Sequence, residues 1–324
     1  MEARETVLQL KDYSIDLYRD RKPIKIIDHM NFSIYKGEMV GIVGESGCGK
    51  SITAQSIMGL IRGKRDTSGE ILFQGEDILK KTEREMVKLR GDKISMIFQE
   101  PMTSLNPTLT VGNQLMEVFR AHHNISRAEA YEKSLEALKL VNIAEPEKRI
   151  KAYPHELSGG MRQRVMIAMA LSSRPELMIA DEPTTALDVT IQAQILRLMK
   201  ELQDELGTSV MLITHDLGVV AEVCTRAIIL YCGRVVEETP VKLLFKDPLH
   251  PYTQGLIKSL PELGVRKELY MIQGNVPNTG NYPSGCPFHP RCEFCTEKCC
   301  SVEPPEVNLP DGRRVKCWLH CKEG

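Results

Sequence analysis

Short runs that are apolar at almost every position punctuate the chain. Four stand out: "MVGIVG" (39–44), "ISMIF" (94–98), "LMIA" (177–180) and "VMLIT" (210–214). Runs of this length without alternation suit parallel strands covered on both faces. A Gly-rich stretch follows the first, and "SITAQSIMGLI" then reads as a helix. Asp181 and Glu182 follow the third run, and His215 follows the fourth. Polar residues thus collect at the carboxyl ends of strands, where open α/β sheets bind ligands. The first forty residues differ. "VLQLKDYSIDLY" and "IKIIDHMNFSIYKGE" alternate with period two and predict a flanking antiparallel sheet. Residues 111–151 read as helical. Within them "SRAEAYEKSLEALKLV" opens on Ser126 with Glu129 three positions on, a capping pattern. From Lys246 onward Pro and Gly become frequent, periodicity fades, and little regular structure is expected. The pattern therefore predicts a main domain over 1–245, with a helical insertion at about 100–165, and an extension over 246–324.

Composition narrows the class. The chain has 324 residues, enough for one large or two modest domains. A net charge of −1 gives no general attraction to nucleic acid or anionic lipid. No run approaches the ~20 apolar residues of a membrane helix. "MEARETVLQLKDYS" carries charges where a signal peptide would be apolar. A soluble protein of a reducing compartment is expected. There, ten cysteines suggest metal binding or free thiols rather than disulfides.

The stretch "GESGCGKS" satisfies the phosphate-loop pattern between a predicted strand and a predicted helix. Gly44, Glu45, Ser46, Gly47, Cys48, Gly49, Lys50 and Ser51 are the expected ATP-binding residues. Backbone N–H groups and the helix N-terminus would bind the phosphates. Lys50 adds charge, and the Ser51 hydroxyl would hold Mg²⁺. Asp181, ending a buried strand, is placed for the same Mg²⁺. Glu182 can polarise water against the γ-phosphate.

"LSGGMRQR" (157–164) decides the class: it resembles the signature motif of ABC-transporter ATPases. Other marks of that family follow in its order. Gln99 after "ISMIF" resembles the Q-loop, "TALD" (185–188) the D-loop, and His215 in "ITHD" the switch histidine. No N-K-x-D motif supports a GTPase. The resemblance implies a RecA-like α/β P-loop ATPase core, an antiparallel β subdomain, a helical signature subdomain and a cysteine-rich C-terminal extension. It implies catalytic roles for Glu182, His215 and Gln99, with Ser51, Gln99 and Asp181 around Mg²⁺. It also implies that Ser158, Gly159, Gly160, Gln163 and Asp188 act in trans on ATP held by a second ATPase subunit. Its adenine-stacking aromatic falls at Tyr18.

"IFQEPMTSLNPTLTVGNQL" (97–115) and "PLHPYTQGLIKSLP" (248–261) resemble ATPase subunits of peptide and nickel importers. "GCPFHPRC" with further cysteines resembles the D-type subunit of dipeptide and oligopeptide importers. That resemblance implies a heterodimer with a second ABC ATPase, two membrane permeases and an extracellular binding protein, without nucleic acid. The chain would then lie peripherally on the cytoplasmic face of the membrane. A nickel or other small-solute importer is the alternative. A DNA-associated ABC ATPase would need long coiled-coil insertions that this sequence lacks.

Seven cysteines lie between Cys286 and Cys321. Four thiolates suit structural Zn²⁺ or an iron–sulfur cluster. Zinc would use the knuckles Cys292–Cys295 and Cys317–Cys321. The resemblance instead implies a [4Fe–4S] cluster on Cys286, Cys292, Cys299 and Cys317. Either would stabilise a tail with few apolar residues. ATP binding is expected to survive loss of these cysteines, since the phosphate loop, Asp181 and the signature lie outside the tail.

Overall fold

A computed structural model describes residues 4–99, 104–185, 187–260 and 270–321. Residues 100–103 of the expected helical insertion, Ala186 of "TALD" and Pro261 lie outside the described residues. The strands are β1 (Thr6–Arg19), β2 (Lys22–Tyr35), β3 (Met39–Val43), β4 (Arg65–Phe73), β5 (Glu76–Asp77) and β6 (Ile94–Ile97). Then come β7 (Leu177–Asp181), β8 (Ser209–Thr214), β9 (Arg226–Tyr231), β10 (Arg234–Pro240), β11 (Glu306–Asn308) and β12 (Arg314–Lys316). All four apolar runs are strands, and β9, buried throughout, joins them.

The chain divides into two compact units. One comprises residues 1–8, 34–39 and 73–213; the other comprises 9–33, 40–72 and 214–324. The extension over 246–324 shares a unit with the phosphate loop.

In the first unit β6, β7 and β8 are parallel neighbours, with Ile94 opposite Leu177 and Leu177 opposite Ser209. Helices follow where side chains satisfy their first N–H groups. Thr110 caps Val111–His122, and Ser126 caps Arg127–Leu140 by accepting from the Glu129 N–H at 3.1 Å. The helix Val189–Leu206 starts at Asp188, whose Oδ1 accepts from the Ile191 N–H at 2.9 Å. It buries Ile195, Leu198, Met199 and Leu202, a helical stripe, and stops at Gly207.

In the second unit the parts of β1, β2 and β4 that belong to it are sheet neighbours in the order β2-β1-β4. Asp20 and Arg21, both at positive φ, turn β1 into β2, the hairpin that the alternation predicts. β3 pairs in parallel with β9, and β10 returns antiparallel to it. β12 adds to β10 with Glu237 opposite Val315, and β11 adds to β12.

The extension is thus more regular than periodicity suggests. Its strands are three residues each, too short to show a period. It also has a small core of Leu249, Val315 and Cys317, with Val307 and Leu309 against it. The buried Glu237 carboxylate accepts the N–H groups of Leu249 and His250, fixing where the extension begins. Among the described residues no helix is long and apolar enough to cross a membrane.

Candidate nucleotide site and cysteine cavity

In the second unit the loop Gly44–Gly49 joins β3 to the helix Lys50–Ile57. Gly44 admits no side chain: a Cβ there would lie 2.3 Å from the Leu230 carbonyl oxygen. Gly47 and Gly49 take φ of 80° and 104°, which curl the loop. Lys50 is buried, and its ammonium donates to the carbonyls of Gly44 (2.7 Å) and Glu45 (3.1 Å). The loop therefore wraps its own cation. Cys48 is buried beneath, and burial pushes its thiol pKa up. Ser51 is half-buried in the first helical turn, and Ser46 is exposed at the bend.

Tyr18, near the end of β1, is half-buried. Its hydroxyl donates to Asp66 at 2.5 Å, and the Lys64 ammonium sits 4.0 Å from its ring centroid. His215, exposed, follows β8, and Asp216 then caps the helix Leu217–Val223.

In the first unit Asp181 ends β7 at 4% exposure. Glu182 follows at φ 46°, a left-handed conformation uncommon for a residue with a side chain. Its N–H donates to the Ile213 carbonyl at 2.9 Å. Its Oε2 accepts from Gln99 Nε2 (3.1 Å) and Thr185 Oγ1 (3.0 Å). The carboxylate is thereby aimed. Ser158 caps the helix Gly159–Leu171 through the Met161 N–H at 3.3 Å. Ser158, Gly159 and Asp188 are exposed, and Gly160 is half-exposed. Gln163 departs from the expectation for a trans contact. It is fully buried, so its side chain faces this subunit's own interior.

The second unit also holds a cavity of about 680 Å³, and Cys286, Cys292, Cys299, Cys317 and Cys321 line it. Local turns bring the first three together. The Cys286 N–H donates to the Cys299 carbonyl at 2.9 Å, and a Cβ on Gly285 would lie 2.3 Å from that same oxygen. β12 delivers Cys317. Burial pushes the Cys286 thiol up to about 11 and the Cys317 thiol up to about 12, with neighbouring cavity cysteines adding to both. Cys295 and Cys300 lie outside the lining, exposed, with sulfurs 3.8 Å apart. The zinc knuckles are therefore not assembled: one of their four ligands points elsewhere. Among the described residues no group of three or more His, Cys, Asp or Glu is close enough to hold a metal ion.

The motifs give no warning of three residues that hold the phosphate loop from the extension and β9. Tyr252 Oη accepts the Glu45 N–H at 3.0 Å. Arg291 grips the Glu45 carboxylate with both terminal nitrogens, at 2.8 and 3.2 Å. Tyr231 Oη accepts from Arg291 at 3.3 Å. The only sequence signal is an arginine set inside a cysteine motif. The extension and the phosphate loop thus touch, through Glu45.

A family model described as ABC transporter matches residues 27–185, and one described as the C-terminal region of oligopeptide/dipeptide transporters matches residues 236–299. The chain is 50% identical to the oligopeptide transport ATP-binding protein AppD of Bacillus subtilis, over 98% of each. It is 48% identical to the OppD counterpart of Escherichia coli, over 98% of this chain and 95% of that one. It is 49% identical to the dipeptide transport ATP-binding protein DppD of Haemophilus influenzae, over 98% and 96%. Among solved structures, the cassette MJ0796, a dimer in a post-hydrolysis state with ADP and phosphate, aligns with TM-score 0.65 at 32% identity. That alignment covers 72% of this chain and 98% of that one.

Proposed function

The chain belongs to the ABC transporter family, among its oligopeptide and dipeptide ATP-binding subunits, and we infer that it hydrolyses ATP to power import of such peptides. The observation that carries this is similarity over nearly the whole chain, extension included. A nickel or DNA-directed role is not favoured by any of these matches. Deleting the gene should abolish growth on di- or tripeptides as sole amino-acid source; undiminished growth would count against peptide import.

The residue roles follow from chemistry and position. Lys50 and the loop N–H groups hold the phosphates, and Tyr18 stacks on adenine by the face away from Lys64. Ser51, Asp181 and Gln99 provide oxygen ligands for Mg²⁺, which would neutralise charge developing on the γ-phosphate. Glu182 accepts a proton from the attacking water, supported by its two-donor clamp and left-handed backbone. Strained backbone of this kind persists where surrounding structure holds it. His215, exposed just after β8, would contact the γ-phosphate. Ser158, Gly159, Gly160 and Asp188 serve a partner's ATP. Their exposure supports this, as does Val189 beside them, 83% exposed for so apolar a side chain.

ABC ATPase membership implies a second ATPase subunit and membrane permeases as partners. The finer assembly proposed is a heterodimer on two permeases at the cytoplasmic face, fed by an extracellular binding protein. A groove of about 530 Å³ in the helical insertion, lined by Thr110, Met116, Tyr131 and Ile150, supports permease docking there.

We propose that Cys286, Cys292, Cys299 and Cys317, which line one cavity, hold a [4Fe–4S] centre. Such a centre would supply local folding energy. Anaerobically purified protein should then be brown and carry about four iron and four sulfide per chain. Colourless protein with one zinc would count against it.

A further inference from the structure

The turn His289–Arg291 lies between two cavity cysteines and carries residues that face both ways. Phe288 lines the cysteine cavity, and Arg291, four per cent exposed at its side chain, grips Glu45 of the phosphate loop. The grip is built. Besides Glu45, the guanidinium donates to the Gln273 carbonyl at 3.1 Å and to Tyr231 Oη at 3.3 Å. Its carbon sits 5.8 Å from both the Tyr231 and Phe288 ring centroids. Tyr231, Tyr252 and Phe288 pack on one another, with centroids 4.7–5.4 Å apart. Tyr252 meanwhile holds the Glu45 N–H. Glu45 is thus held at backbone and side chain, and its carbonyl is one of the two that receive Lys50.

We propose that Arg291 is a positioning residue for the phosphate loop, and that through it occupancy of the cysteine cavity sets the affinity for MgATP. A filled cavity fixes Cys286 and Cys292 at both ends of the turn, which holds the bidentate fork on Glu45. An emptied cavity frees the turn, and the loop loses the contact that presents the Glu45 carbonyl to Lys50. The occupancy half rests on the iron–sulfur reading; the Arg291 half does not.

MgATP titration of the anaerobically purified full chain tests both, with iron content measured on every sample. Arg291→Ala should weaken binding about fivefold or more, the usual scale of coupling between sites. Arg291→Lys should recover part of the loss, because it keeps charge without the planar fork. Glu45→Gln, which removes the partner charge while leaving the extension untouched, should weaken binding similarly. Removing iron with a chelator should weaken wild type by a like factor and leave Arg291→Ala unchanged. Iron-loaded Arg291→Ala with wild-type affinity would overturn the positioning role. Equal responses to chelation in wild type and Arg291→Ala would overturn the coupling. Should the purified chain contain no iron, the cluster reading falls. The Arg291→Ala and Glu45→Gln affinities then decide the positioning role alone.

Discussion

On the proposed roles, Glu182 is the residue that carries the reaction. Its carboxylate is aimed by two donors, Gln99 and Thr185, and its backbone is left-handed. Glu182→Gln keeps the shape and loses the basicity. Its MgATP affinity should hold while turnover of the assembled transporter falls by ~10²–10⁴-fold, the usual weight of a general base. Steady-state ATPase assays separate the two, and near-wild-type turnover would remove Glu182 from the role. Lys50→Ala should instead lose nucleotide binding in equilibrium titration, because its ammonium is the cation that the loop carbonyls wrap. Such residues were legible because a phosphate loop demands glycine, lysine and hydroxyl at fixed offsets. Arg291 was not: its partner lies 246 positions away, and neither local pattern nor spacing encodes that meeting.

At the scale of elements, the apolar runs and helix caps were legible, since burial on both faces and capping leave marks within a few residues. The signature helix illustrates the gain. Ser158 caps Gly159–Leu171 from an exposed position, where on the proposed reading the helix N-terminus meets a partner's ATP. Ser158→Arg should leave MgATP binding to the isolated subunit intact and block closure with the partner ATPase. Crosslinking across the closed interface reads this. Loss of affinity as severe as in Lys50→Ala would refute action in trans. The same sequence hid β11 and β12, which are fixed by pairing with β10 rather than by periodicity. Val315, 1% exposed in the small core these strands close, is their anchor. Val315→Ala should cost about 2 kcal/mol of stability through the cavity it leaves. Denaturant unfolding measures it, and an unchanged midpoint would show that the extension's core contributes nothing.

For the whole molecule, the sequence marked off an extension at residue 246, but the chain's compact units place that extension with the phosphate loop. Composition shifts report a change in local character, whereas domain limits follow from where strands find partners and where buried charges such as Glu237 find donors. The whole molecule is proposed to turn ATP hydrolysis into peptide import. The direct measurement uses proteoliposomes containing the assembled transporter, with MgATP inside and binding protein with labelled peptide outside. Dipeptide or oligopeptide should accumulate with wild-type subunit, Glu182→Gln should abolish accumulation, and nickel should not be taken up. Nickel accumulation without peptide uptake, or peptide accumulation undiminished by Glu182→Gln, would contradict it.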